Sequence, residues 1–146
     1  MTYLGVNYLA IAIATFAGYL FGAAWHMMLA RPWLAASEFS AEQRARIEGG
    51  GLRAPAPFLI SLLAQALMAY ILASLLAHLG APALTVRGGA FSGFLIWLGF
   101  VATTLVTNHA FGMRRWALTL IDGGHWLGVL LIQGAVLGAI GAPGAR

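Results

Sequence analysis

Four apolar runs dominate the chain. Leu4 to Ala30 carries no charged residue over 27 positions, Pro57 to Leu79 none over 23, and Gly88 to Met113 none over 26. Trp116 to Ala142 runs for 27, with Asp122 as its one charged residue. A helix rising 1.5 Å per residue needs about 20 residues to cross a hydrocarbon layer about 30 Å thick. Each run is long enough with some tilt. The pattern therefore predicts an all-α, four-helix membrane bundle forming a single domain over residues 1–146. The first run has no basic segment before it, and it exceeds the apolar core of about 7–15 residues found in cleaved signals. It reads as a retained span.

The connections set the expected orientation. The first holds Arg31, Arg44, Arg46 and Arg53, and the third holds Arg114 and Arg115. The second holds only Arg87, and the tail only Arg146. Cationic loops stay cytoplasmic, so both termini are expected on the opposite side. Trp25, Trp33 and Trp116 fall near the same cytoplasmic ends, where indole rings favour the interface. Within the first connection, residues 31–56, Ser40-Ala-Glu-Gln43 has capping-box spacing and Gly49-Gly50-Gly51 is a stop. A short surface helix is expected over about 41–48. Ala54-Pro55-Ala56-Pro57 reads as an extended lead into the second span, whose helix starts near Pro57.

Composition sharpens this picture by exclusion. Sixty-one per cent of residues are hydrophobic and 8 % charged, against about 25 % charged in a soluble domain. The net charge of +4 comes entirely from arginine, since the chain has no lysine. Those arginines sit between apolar runs rather than on one face, which argues against nucleic-acid binding. The absence of cysteine removes thiolate nucleophiles and thiolate metal sites.

Candidate chemistry lies within the spans. Asp122 is about six residues, or roughly 9 Å, inside the fourth run. A carboxylate at that depth is costly and by default marks a functional site. His125, Val129 and Gln133 share its face, within about 80° at 100° per residue. His26, Ser61, Gln65, Thr104, Thr107, Asn108 and His109 fall in the cytoplasmic halves of the other spans. Every span thus supplies hydrogen-bonding groups to one layer. That layer fits a proton or solute site, a metal bound by His26, His125 and Asp122, a lipid headgroup site, or a network fixing helix register. The spacing carries no metal motif, and no cofactor is expected.

A second pattern is small residues every four positions. Ala10, Ala14, Gly18 and Gly22 form a ladder in the first span, Gly89 and Gly93 recur in the third, and Gly124 and Gly128 in the fourth. Such spacing lets helix backbones approach closely, within one bundle or between copies.

Three stretches together resemble a known family. They are Gly18-Tyr-Leu-Phe-Gly22-Ala-Ala-Trp25, Gly93-Phe-Leu-Ile-Trp97-Leu-Gly-Phe100-Val-Ala-Thr-Thr104 and Leu120-Ile-Asp122-Gly-Gly-His-Trp126. The chain resembles the four-helix bacterial membrane family catalogued as domain of unknown function 1761, over nearly its whole length. The resemblance implies a four-span protein of the bacterial inner membrane, and it implies no activity. With no nucleophile–base pair in the sequence, the function expected is non-enzymatic. The protein would be an accessory or structural subunit, or a self-associating bundle, whose partners are the lipid bilayer and either further copies or a larger membrane complex. The alternative is a small transporter or proton-coupled carrier using Asp122.

Overall fold

The computed structural model describes residues 2–3, 6–50 and 55–140. Arg53, Gly51, Ala54, Arg146 and the outermost residues assigned to the first and last runs lie outside them. Helix α1 spans Tyr8–Met28 and starts at Asn7, whose side-chain oxygen accepts from the N–H groups of Leu9 and Ala10 at 3.1 and 3.3 Å. It begins later than the apolar run because Thr2–Tyr3 pair antiparallel with Val6–Asn7. It stops at Met28 because Pro32 has no N–H to offer the Met28 carbonyl, and its ring would crowd that oxygen.

The chain then turns at Leu29 into α2, Ala30–Ala36, a second short helix where the sequence suggested only loop. Helix α3, Ala41–Glu48, follows a complete capping box: Gln43 N–H donates to Ser40 Oγ at 3.2 Å, and Ser40 N–H to Gln43 Oε1 at 2.8 Å. The second span, α4, runs Pro55–Leu79. It starts two residues before Pro57, because a helix's first turn leaves its N–H groups unbonded and tolerates both prolines there.

The third span is not one regular helix. Helix α5, Val86–Ile96, leads into a π-helical segment, Trp97–Ala102, and then into α6, Thr103–Phe111. The fourth span, α7, is a continuous helix over Trp116–Ile140. The four membrane-length helices are thus Tyr8–Met28, Ala56–Leu79, Val86–Phe111 and Trp116–Ile140.

Helix α7 is the hub. Its widest contact is with α5 and its next with α1, while α4 leans mainly on α1 and only marginally on α5. The α5–α7 contact is backbone on backbone. A Cβ on Gly89 would collide with the Gly134 carbonyl, and one on Gly134 with the Gly89 carbonyl. Gly93 meets the Leu130 carbonyl in the same way, and Gly138 meets that of Thr85. Thr85, Gly89 and Gly93 therefore run antiparallel to Gly138, Gly134 and Leu130. Each glycine Cα–H points at a carbonyl of the facing helix, a weak hydrogen bond whose contribution grows by repetition.

Gly124 and Gly128 have a different role. They seat the aromatic rings of Trp25 and Phe21 from α1. Around these contacts Ala10, Ile11, Ala14, Ala69, Leu72, Leu76, Ala83, Leu130 and Leu137 form the apolar core. Most other large apolar side chains, such as Leu20, Leu63 and Phe100, face outward. That is the expected arrangement for a surface solvated by lipid.

Replacing Gly89 or Gly134 by valine forces the two backbones apart. The expected loss is about 2–3 kcal/mol or more in detergent-titration unfolding. Gly123→Ala, whose Cβ meets nothing within 4 Å, is expected to stay within about 0.5 kcal/mol of the parent.

Candidate functional site

The polar residues of the spans gather on α7, in two groups. The deeper one is built on glycine. A Cβ on Gly18 would stand 2.8 Å from Gln65 Oε1 and 3.2 Å from Gln133 Nε2. One on Gly22 would stand 2.6 Å from His125 Nε2. The Gly18–Gly22 part of the α1 ladder is thus the recess that admits three polar side chains between α1, α4 and α7. Gln133 Nε2 donates to the Gln65 backbone carbonyl at 3.2 Å, tying α7 to α4. All three side chains are buried. Beside them, Thr15 turns its hydroxyl back to the Ile11 carbonyl at 2.8 Å, so it asks nothing of its neighbours.

The shallower group surrounds Asp122. Its carboxylate is half-buried, with Trp33 of α2 and the imidazoles of His26 and His109 within interaction range. The His26 ring lies 4.8 Å from that of His125 and meets Trp33 edge-on at 5.8 Å. His109 Nδ1 is 2.9 Å from Thr119 Oγ1, joining α6 to α7. Two indoles brace the helix on either side of the carboxylate. Trp25 Nε1 donates to the Ile121 carbonyl at 3.1 Å, and Trp97 Nε1 donates to the Gly123 carbonyl at 2.8 Å. Asp122 is therefore held between two fixed points of its own backbone. Among the described residues no three His, Asp or Glu side chains converge as a metal-ligand group. His26, His125 and Asp122 adjoin one another without forming one.

The structure brings together Asp122, His125, His26 and Gln65 of the residues singled out in sequence, and leaves Asn108 apart. Asn108, Thr104 and Thr107 are exposed on the outside of α6. The reason is the π segment. On a regular helix Asn108, eleven positions after Trp97, falls within about 20° of it and faces α7. The wider π turn uses up the equivalent of about one extra residue, roughly 100°. His109 takes the inward position and Asn108 is carried outward. Gln133, at the far end of the Asp122 stripe, proves to be part of the deep group. Gly134 was not distinguished in sequence, although it lies four residues before Gly138.

Trp97→Phe keeps the ring and removes the bond to Gly123. We expect a loss of about 1 kcal/mol in detergent-titration unfolding, in the range of single interhelical hydrogen bonds in membranes. A loss below about 0.3 kcal/mol would mean that this indole does not brace α7.

The residues that carry the sequence resemblance — Gly18, Gly22, Trp25, Trp97 and Asp122 — are thus the ones that build and brace this polar region. No curated protein and no solved structure matches the chain. A family model does match it, from residue 9 to residue 138 and so through all four spans, and the chain belongs to the family described as protein of unknown function (DUF1761).

Proposed function

We propose that the protein is non-enzymatic and acts by associating with other membrane helices through the outer face of its third span. The observation that supports this reading is the exposed face Thr104, Thr107, Asn108 and Phe111. These four stand at i, i+3, i+4 and i+7, one stripe of a helix. Thr104 and Asn108 lie about 10 and 4 Å inside the end of the span at 1.5 Å per residue. No span of this chain covers them, since the third span rests on α7 and barely touches α4. An amide and two hydroxyls turned toward lipid are costly unless a partner meets them, and polar side chains join membrane helices in this way.

The chain has no cysteine, so a single Thr104→Cys variant links only to another molecule. In native membranes we expect cross-linking of Thr104→Cys and little of Leu63→Cys, whose position is on the lipid face of α4. Adding Asn108→Leu to the Thr104→Cys variant is expected to lower the yield about threefold or more, the value of one interhelical bond. A product of twice the chain's mass marks self-association, and a different mass marks an accessory subunit. Equal linking at the two positions, or none, overturns the proposal.

The same reading places the protein in a bacterial cytoplasmic membrane with both termini outside. The support is the clustering of Arg31, Arg44, Arg46, Arg114 and Arg115 at one end of the spans. The single variants Glu42→Cys and Arg114→Cys are expected to resist a membrane-impermeant maleimide in intact cells and to react after lysis. Thr85→Cys is expected to react in both.

A further inference from the structure

Two side-chain oxygens inside the bundle have no hydrogen-bond partner: Gln65 Oε1 and Gln133 Oε1. Their residues are 1 % and 0 % exposed. The orientation of Gln133 is fixed by its Nε2–H bond to the Gln65 carbonyl, which leaves Oε1 as the unsatisfied atom. Gln65 Oε1 points into the recess at Gly18, 2.8 Å from where a Cβ would stand. The His125 ring nitrogen Nε2 closes the same recess one turn along, at Gly22. Unpaired acceptors are expensive in a low-dielectric interior, and buried polar groups in native proteins are almost always satisfied. Here two acceptors and an imidazole nitrogen adjoin one another, while the chain's own donors are engaged elsewhere. Trp25 and Trp97 donate to α7 carbonyls, and Thr15 donates to its own helix.

We propose that Gln65, Gln133 and His125, gathered at Gly18 and Gly22, form an intramembrane binding site for a hydrogen-bond donor with one heavy atom, either water or the ammonium ion. The chemistry is set by the acceptors. Water offers two O–H donors to the two amide oxygens and still accepts from a neighbour. Ammonium offers four N–H donors, enough for both amides and the unprotonated imidazole nitrogen, and Asp122, one turn from His125, supplies a countercharge. Larger donors are excluded by the closeness of Val129, whose Cγ1 stands 3.3 Å from the Gly18 Cβ position. The site does not depend on the association face of the third span.

The test uses the full chain in lipid nanodiscs, with the amide-isosteric pair Gln65→Met and Gln133→Met as control. If ammonium occupies the site, the thermal midpoint rises with each tenfold step in ammonium chloride and stays level in tetramethylammonium chloride, which has no N–H donor. The rise disappears in the double variant. If water occupies it, the midpoint ignores both salts, and the Gln133 side-chain amide shows a magnetisation-transfer peak to a slowly exchanging water. That peak is absent from Gly18→Ala, whose methyl group intrudes on Gln65 Oε1. Finding neither a salt-specific rise nor a water peak overturns the proposal. So does a double methionine variant more stable than the parent in every salt, because an empty site gains when unpaired acceptors are removed. Should the double variant fail to assemble, Gln133→Met alone carries the same comparison.

Discussion

In a bilayer, burial of apolar surface gives helices little reason to choose one another, because lipid is as apolar as leucine. This chain depends instead on how closely two backbones can lie. Thr85, Gly89 and Gly93 on one helix and Leu130, Gly134 and Gly138 on the other bring peptide groups into direct contact over about two turns. That contact fixes α5 against α7 in depth and rotation. Helix α7 then has a defined second side, on which Gly124 and Gly128 take the rings of Trp25 and Phe21 from α1. Helix α4 follows, placed by α1 and by the Gln133–Gln65 bond. Each later contact relies on the first for its register.

The polar interior follows from the same use of glycine. Where the missing side chains of α5 and α7 allow backbone contact, those of Gly18 and Gly22 on α1 leave room for Gln65, Gln133 and His125. One small-residue pattern thus produces two environments, one dry and one polar, according to what the facing helix presents. Asp122 lies at the edge of the polar one. The indoles of Trp25 and Trp97 pin the carbonyls immediately before and after it.

Much of this was legible in the sequence. The four spans could be read from charge-free length alone, since lipid imposes a minimum length on any helix that crosses it. The surface helix was visible in Ser40 and Gln43, because a capping box is local chemistry. The association of His26, His125, Gln65 and Asp122 followed from depth and helical phase. What could not be read was anything that changes phase partway along a span. Pro32 signals a break, yet the helix beyond it, α2, depends on contact with α7. Trp97–Ala102 contains no residue that demands a π turn, and the placement of Asn108 failed on that account. The pairing of Gly89 with Gly134 rather than with Gly124 or Gly128 is tertiary information, fixed by which helices meet.

The π segment also makes the third span sensitive to length in a way that its composition hides. Its six apolar residues decide which of two adjacent polar residues looks inward. Loss of a single codon between Trp97 and Ala102 would let the segment relax to a regular helix. The glycine-locked half would keep its seat on α7, and the distal half would turn by roughly a quarter of a revolution. Asn108 would then enter the bundle and His109 would leave it, with no residue substituted. Such a lesion exchanges the inner and outer faces of half a span while leaving hydrophobicity, topology and the main helix contact unchanged. In this protein, insertions and deletions in that short stretch are therefore a more direct route to altered surface chemistry than point substitution.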